Sequence, residues 1–219
     1  MPHFGALGDI HGDVASVRRI MSRHPDVPFW LCVGDVANDE GEYEPVPAPL
    51  YWIKGNNEGF DAIAAGNLPP NLNVLFNGQV RDIEGIRVAG LGGTFAPSWY
   101  ETPAADLPHP QKGTRRATGI ADKRRHFVRE EVEACKALLG IDVFLTHEAP
   151  RPFRVGRVDA GKTSVNEVLA AMAPRLHLFG HHHRFSEESR QGVTSVGLDL
   201  VGNSYLLIDR ATLAYERKS

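Results

Sequence analysis

Five short apolar segments end in residues able to hold a metal ion: Asp9-Ile10-His11, Gly34-Asp35, Gly55-Asn56-Asn57-Glu58, Thr146-His147-Glu148 and Gly180-His181-His182-His183. Singly, each reads as a turn, a helix cap or a structural histidine. Together they offer carboxylate, amide and imidazole donors without thiolate, which favours Mn, Fe or Zn over a cysteine-type structural zinc site. Asp9 and His11 are two residues apart, as are His181 and His183. In locally extended backbone each pair faces one way and suits two-point holding of an ion. So many donors oversupply one metal, whereas two divalent ions sharing a carboxylate use them.

The elements that must position these residues are legible in the same segments. Apolar runs at 4–7, 29–33, 50–53, 143–145 and 176–179 suit strands buried on both faces, with the polar residues at their ends. Between them, Val14, Val17 and Met21 after Asp13 predict a helix stopping at His24-Pro25. Val128, Val132, Cys135 and Leu139 predict a second, closed by Gly140. Ser164 and Glu167 predict a capping box opening a third, with Val168, Leu169 and Met172 inward and Pro174 as the stop. Residues 81–83 and 86–91 flank Glu84-Gly85 as a hairpin, and short strands from Val193 through 205–208 and 211–215 suggest an antiparallel edge. The expected fold class is α/β, with the chemistry on strand-end loops.

With 219 residues, a single domain over 1–219 is expected, with loops inserted at about 38–49 and 92–119. Hydrophobic residues at 42% and charged residues at 23% exclude disorder and a highly charged coiled coil. A formal charge of −3 gives no global attraction to nucleic acid or membrane, so an anionic substrate requires local positive charge or metal. Neither a basic leader nor a long apolar run is present, so no membrane association and a cytoplasmic location are expected. Cys32 and Cys135 read as small buried thiols.

The order D-x-H, GD, GN, TH and GHxH, from Asp9 to His183, resembles the calcineurin-like metallophosphoesterases. The resemblance implies a four-layer α/β/β/α sandwich with Asp9, His11 and His183 on one metal and Asn56, His147 and His181 on the other. Asp35 would bridge the two. The implied activity is phosphoester hydrolysis with a metal-bridging hydroxide as nucleophile. A weaker similarity joins His126–Arg129, 142–150 and Tyr51-Trp52-Ile53 to the lariat RNA debranching enzymes, although those carry Cys where this chain has His11.

One departure stands out. Where the family commonly has a histidine after the metal-binding Asn, this chain has Asn57, which donates hydrogen bonds but does not titrate. The resemblance then favours a phosphodiesterase. Alternatives are a phosphomonoesterase on nucleotides or phosphoproteins and a non-catalytic metal-binding scaffold. His182, Glu58 and His109 are conceivable replacement acids, although His182 between two ligands is expected to point away. Arg151, Arg116 and His109 are candidate substrate contacts. A basic run of Lys112, Arg115, Arg116, Lys123, Arg124, Arg125 and Arg129 either solvates a helix face or grips a nucleotide or oligonucleotide, with Trp99 and Tyr100 available to stack on a base.

Overall fold

The computed structural model describes residues 3–110 and 121–219. Two six-stranded sheets are present among them. The first contains β1 (His3–Leu7), β2 (Trp30–Cys32), β3 (Leu50–Trp52) and β4 (Leu72–Val74), all parallel. The second contains β5 (Val80–Ile83) and β6 (Ile86–Leu91), joined by the expected turn at Glu84-Gly85. A two-stranded pair follows, β7 (Thr94–Phe95) with β8 (His126–Phe127). The second sheet resumes at β9 (Val143–Thr146); β10 (Arg154–Val155) and β11 (Val158–Asp159) form a separate hairpin, and β12 (Leu176–Phe179), β13 (Ser186–Arg190) and β14 (Val193–Gly197) complete that sheet. The chain then returns to the first sheet, where β15 (Tyr205–Asp209) runs antiparallel to β1 and β16 (Tyr215–Lys218) forms the edge.

Strand periodicity explains the layering. Leu31 and Val33 face the second sheet and pack with Val143, Leu145, Leu176 and Leu178, while the alternate residues Trp30 and Cys32 face outward. The outward face is covered by α1 (Val14–Arg23) through Val14, Val17, Ile20 and Met21, with Ile63 of α2 (Phe60–Ala65) alongside. On the far side, α3 (Arg129–Lys136) and α4 (Thr163–Met172) cover Ala89, Leu91 and Phe144 with Val132, Cys135, Val165 and Val168. The result is the α/β/β/α sandwich. Cys32 and Cys135 are free and buried.

Asp13 caps α1, accepting from Ser16 N–H at 3.0 Å, and the helix stops at His24 as expected. Three expected details change. Leu139 is 75% exposed, because the end of α3 tightens through Leu138 N–H to Cys135 O and turns Leu138 inward instead. Ser164 caps nothing: α4 starts two residues earlier than a Ser164 cap implies, with Lys162 at the N-cap position and its N–H tied to Ala149 O, and Ser164 lies buried in the first turn. The last strand occupies Tyr215–Lys218, since Asp209 accepts from Ala211 and Thr212 and turns the intervening segment. The loop at 38–49 contains no helix or strand, whereas that at 92–119 includes β7 and a short 3-10 turn at Ala104–Asp106.

Candidate metal centre

The ends of β1, β2, β3, β9 and β12 converge at one edge of the sandwich. The ligand atoms of Asp9, His11 and His183 lie within 4.8 Å of one another, as do those of Asp9, Asp35 and His147. Asp35 Oδ2 is 3.6 Å from His11 Nε2 and 3.6 Å from His147 Nε2, which puts this oxygen between the two groups. Asn56 Oδ1 is 3.1 Å from His147 Nε2, and the His181 ring centre is 4.9 Å from that of His147. All seven sequence-predicted ligands are therefore brought together.

The surrounding chain fixes donor directions. Val33 O accepts from His147 Nδ1 at 2.9 Å, so the Nε2 lone pair faces the cluster. Burial opposes charging of His147, yet the carboxylates of Asp9 and Asp35 hold its pKa above the ordinary histidine value. The hydrogen bond to Asp9 raises His183, while burial lowers His181 to about 3 and leaves its imidazole neutral. Asp9 Oδ2 accepts the His181 backbone N–H at 2.8 Å and lies 3.0 Å from His183 Nε2. Asp9 Oδ1 is buried without a hydrogen-bond partner.

Two glycines allow this density. A Cβ on Gly55 would stand 2.0 Å from Asp35 Oδ1, and one on Gly180 would stand 2.3 Å from Asp9 Oδ1. Four of the seven donors also have left-handed backbone: His11 at φ 47°, Asp35 at 50°, His181 at 68° and His183 at 47°. Such conformations are unfavourable for residues with a Cβ and persist where surrounding structure holds them. An orphaned carboxylate oxygen, convergent imidazole nitrogens and a purely oxygen and nitrogen donor set fit a pair of divalent cations.

Glu58 organises the site from beneath. Its carboxylate accepts from the backbone N–H groups of Val36, Ala37 and Gly55 and from Tyr43 Oη, tying the Asp35 loop to the Asn56 loop. Burial pushes its pKa up to about 8. Those four bonds occupy it as a loop anchor rather than a proton donor to substrate. His177 is similarly committed, with its ring nitrogens 2.8 Å from Thr146 Oγ1 and 2.9 Å from Ser195 Oγ directly behind His147. Glu148 turns away from the cluster, accepting from Phe95 N–H and lying 3.5 Å from Lys162 Nζ.

The expected substrate contacts fare differently. Arg151 pairs with Asp159 at 2.9 Å, so the nearest carboxylate has captured its guanidinium. His109 is exposed, and its Nδ1 is engaged locally, 3.1 Å from Leu107 O. Arg116, like Lys112 and Arg115, lies outside the described residues. Arg124 pairs with Asp122 and Asp61, and Arg129 with Glu101, so much of the basic run is neutralised by neighbours. Tyr100 packs on Phe95 and Phe127 rather than standing free to stack on a base. His182 does point away, stacked on Phe153 at 4.6 Å.

Asn57 contributes chiefly through its backbone. Its N–H donates to Asp35 Oδ1 at 2.7 Å, while its side-chain amide turns to the carbonyls of Ala37 and Asn38, each at 3.4 Å. One residue near the centre escaped the sequence pattern: Asp199, just past β14, whose charge helps to raise His183. The signal was present, because Val193–Gly197 is another short apolar segment leading to an acid.

Residues 2–185 match the family model described as calcineurin-like phosphoesterase. The chain belongs to the calcineurin-like phosphoesterase family. It is 26% identical over 235 residues to a lariat debranching enzyme of Schizosaccharomyces pombe, covering 88% of this chain and 49% of that protein. The chain thus spans about half the length of that relative. Among solved structures, the protein TT1561 of Thermus thermophilus superposes with a TM-score of 0.68 at 15% identity, over 100% of this chain and 98% of the other. A dimetal phosphatase from Danio rerio superposes with a TM-score of 0.59 at 12% identity, over 98% of each chain. Both share the calcineurin-like phosphoesterase fold seen here. No helix among the described residues is long and apolar enough to cross a membrane.

Proposed function

We propose that this phosphoesterase is a dinuclear-metal phosphodiesterase, with Asp35 bridging the two ions. The observation that carries the dinuclear reading is the position of Asp35 Oδ2, 3.6 Å from an imidazole nitrogen on either side. Asp9, His11 and His183 would hold one ion and Asn56, His147 and His181 the other, with Mn, Fe or Zn suited to these donors. When bound, the pair supplies Lewis acidity that neutralises phosphate charge and acidifies water. The protein's part is orientation: Val33 O aims His147, the Asn57 N–H steadies Asp35, and Glu58 locks the two loops together. Two free buried thiols support a reducing, cytoplasmic setting.

Preference for diesters rests on position 57. A residue that does not titrate follows Asn56, and its amide is turned toward the 37–38 carbonyls. A diester bears less charge than a monoester, and an ester with a good leaving group requires little proton donation. The lariat debranching relative points to the same class of bond. With manganese loaded, bis(p-nitrophenyl) phosphate is expected to turn over faster than p-nitrophenyl phosphate; the reverse order would sink the diester assignment. Asn57→Ala keeps the backbone N–H on Asp35 and is expected to lower kcat on the bis ester by less than about tenfold, far below the roughly 10²-fold or more associated with removing a general acid. A loss of that larger size would give the side chain a direct catalytic role.

A further inference from the structure

Arg184 directly follows His183 and donates to Arg154 O, Arg190 at the end of β13 donates to Arg151 O, and Arg157 lies in the turn of the β10–β11 hairpin that begins at Arg154. Arg151 pairs with Asp159 at 2.9 Å and Arg190 with Glu188 at 2.5 Å. Among the described residues, Arg154, Arg157 and Arg184 have no ion-pair partner within 4.0 Å. Asp159 is otherwise occupied, since it also accepts the backbone N–H groups of Phe153 and Gly161, and Glu187 and Glu188 line the same hollow as Arg154 and Arg184 without coming within ion-pair distance of either. All three guanidinium-bearing residues are exposed. Between them, Val155 and Val158 leave 49% and 66% of their surface in solvent.

This patch is mechanically joined to the metal centre. The Arg184 guanidinium lies 5.1 Å over the Phe153 ring and donates to Arg154 O at 3.4 Å. Phe153 stacks on His182 at 4.6 Å, the His182 ring is 5.0 Å from that of His181, and His181 is 4.9 Å from His147. Packed rings thus connect the hairpin of β10 and β11 to the ligand cluster. A chain with net charge −3 leaves three guanidinium groups without a carboxylate partner beside a phosphoester site, Arg184 being held by the Phe153 ring and one backbone carbonyl.

We propose that Arg154, Arg157 and Arg184 grip the phosphate backbone of a single-stranded oligonucleotide whose scissile phosphate lies at the metal centre. The proposal rests on the phosphodiesterase reading and deepens it: the substrate is a polymer with further phosphates, not a small isolated diester. Guanidinium forks match phosphate oxygens in pairs, and a strand carries such anions at regular intervals from the scissile bond outward. The exposed valines add apolar contact without sequence preference. An acidic protein is disfavoured because its carboxylates would have no reason to begin at a phosphoester centre.

The test compares wild type with an Arg154→Gln, Arg157→Gln, Arg184→Gln triple variant, both loaded with manganese. We expect kcat/KM for a single-stranded oligoribonucleotide, relative to that for bis(p-nitrophenyl) phosphate, to fall at least tenfold in the variant, through KM. The salt dependence of log KM should flatten by up to about 2, at roughly 0.7 per lost contact to a single strand. An unchanged ratio would overturn the proposal. Fluorescence anisotropy of a labelled oligonucleotide with metal-free protein reads the patch independently. There the triple variant should bind at least tenfold more weakly and polyglutamate should compete poorly; equal binding, or equal competition by polyglutamate, counts against it. If wild type hydrolyses no diester with Mn, Fe or Zn, the phosphodiesterase reading fails, and the anisotropy result still decides the patch.

Discussion

Replacing Asp35 by asparagine is expected to abolish hydrolysis, lowering kcat on bis(p-nitrophenyl) phosphate by on the order of 10³-fold or more while leaving the fold intact. Asp35 is 1% exposed, and its Oδ2 lies between His11 and His147. The amide is nearly isosteric and retains an oxygen to accept the Asn57 N–H, so the loop keeps its anchor. What is lost is negative charge at the proposed bridging oxygen, 3.6 Å from His11 Nε2 and from His147 Nε2. Metal content measured by mass spectrometry should fall from two equivalents per chain to one or fewer. Removing this charge relieves its repulsion of the buried Glu58 carboxylate while losing its attraction to His147, so the melting temperature of the metal-free protein should change little. Wild-type turnover with two ions retained would show that Asp35 does not bridge.

Gly55→Ala is expected to damage the same centre without changing any ligand. The new Cβ would stand 2.0 Å from Asp35 Oδ1 and 2.4 Å from the Asp35 backbone nitrogen, both closer than atoms can approach. The neighbour cannot yield cheaply, since Asp35 has left-handed backbone and its loop is held by Glu58. Displacing a ligand by even a fraction of an ångström disturbs the chemistry steeply, so a loss of about 10²-fold or more in kcat is expected, with weakened metal affinity. Overpacking should also lower stability by roughly 1–3 kcal/mol, read by urea unfolding. Near-normal activity would mean that the Gly55 turn tolerates a side chain and that the close approach is not required.

The convergence of the seven proposed ligands was legible because they sit where the pattern is strongest. Each donor follows a short apolar strand, and a layered α/β fold brings successive strand ends to one edge. Gly55 and Gly180 could be read only as turn residues from sequence; the structure shows that they make room for the carboxylates of Asp35 and Asp9. Substrate contacts were harder. Arg151 had the right type and place, but its fate was decided by Asp159, eight residues away, whose position depends on a hairpin with no strong local signature. The end of α3 was misread for a local reason: a tightened final turn substitutes Leu138 for Leu139 without breaking the sequence periodicity.

Glu58 illustrates what composition cannot convey. Next to a metal-binding motif, an acid invites a catalytic role, yet its carboxylate is fully engaged by three backbone N–H groups and the Tyr43 hydroxyl. The role of Asn57 changes in the same way, from side chain to backbone, because Asp35 Oδ1 lies 2.7 Å from its nitrogen.

The most direct measurement is an anomalous-diffraction map from crystals of the manganese-loaded protein. Two peaks are expected, one ligated by Asp9, His11 and His183 and the other by Asn56, His147 and His181, with Asp35 coordinating both. A single peak at full manganese saturation, or two peaks of which Asp35 touches only one, would contradict the dinuclear centre.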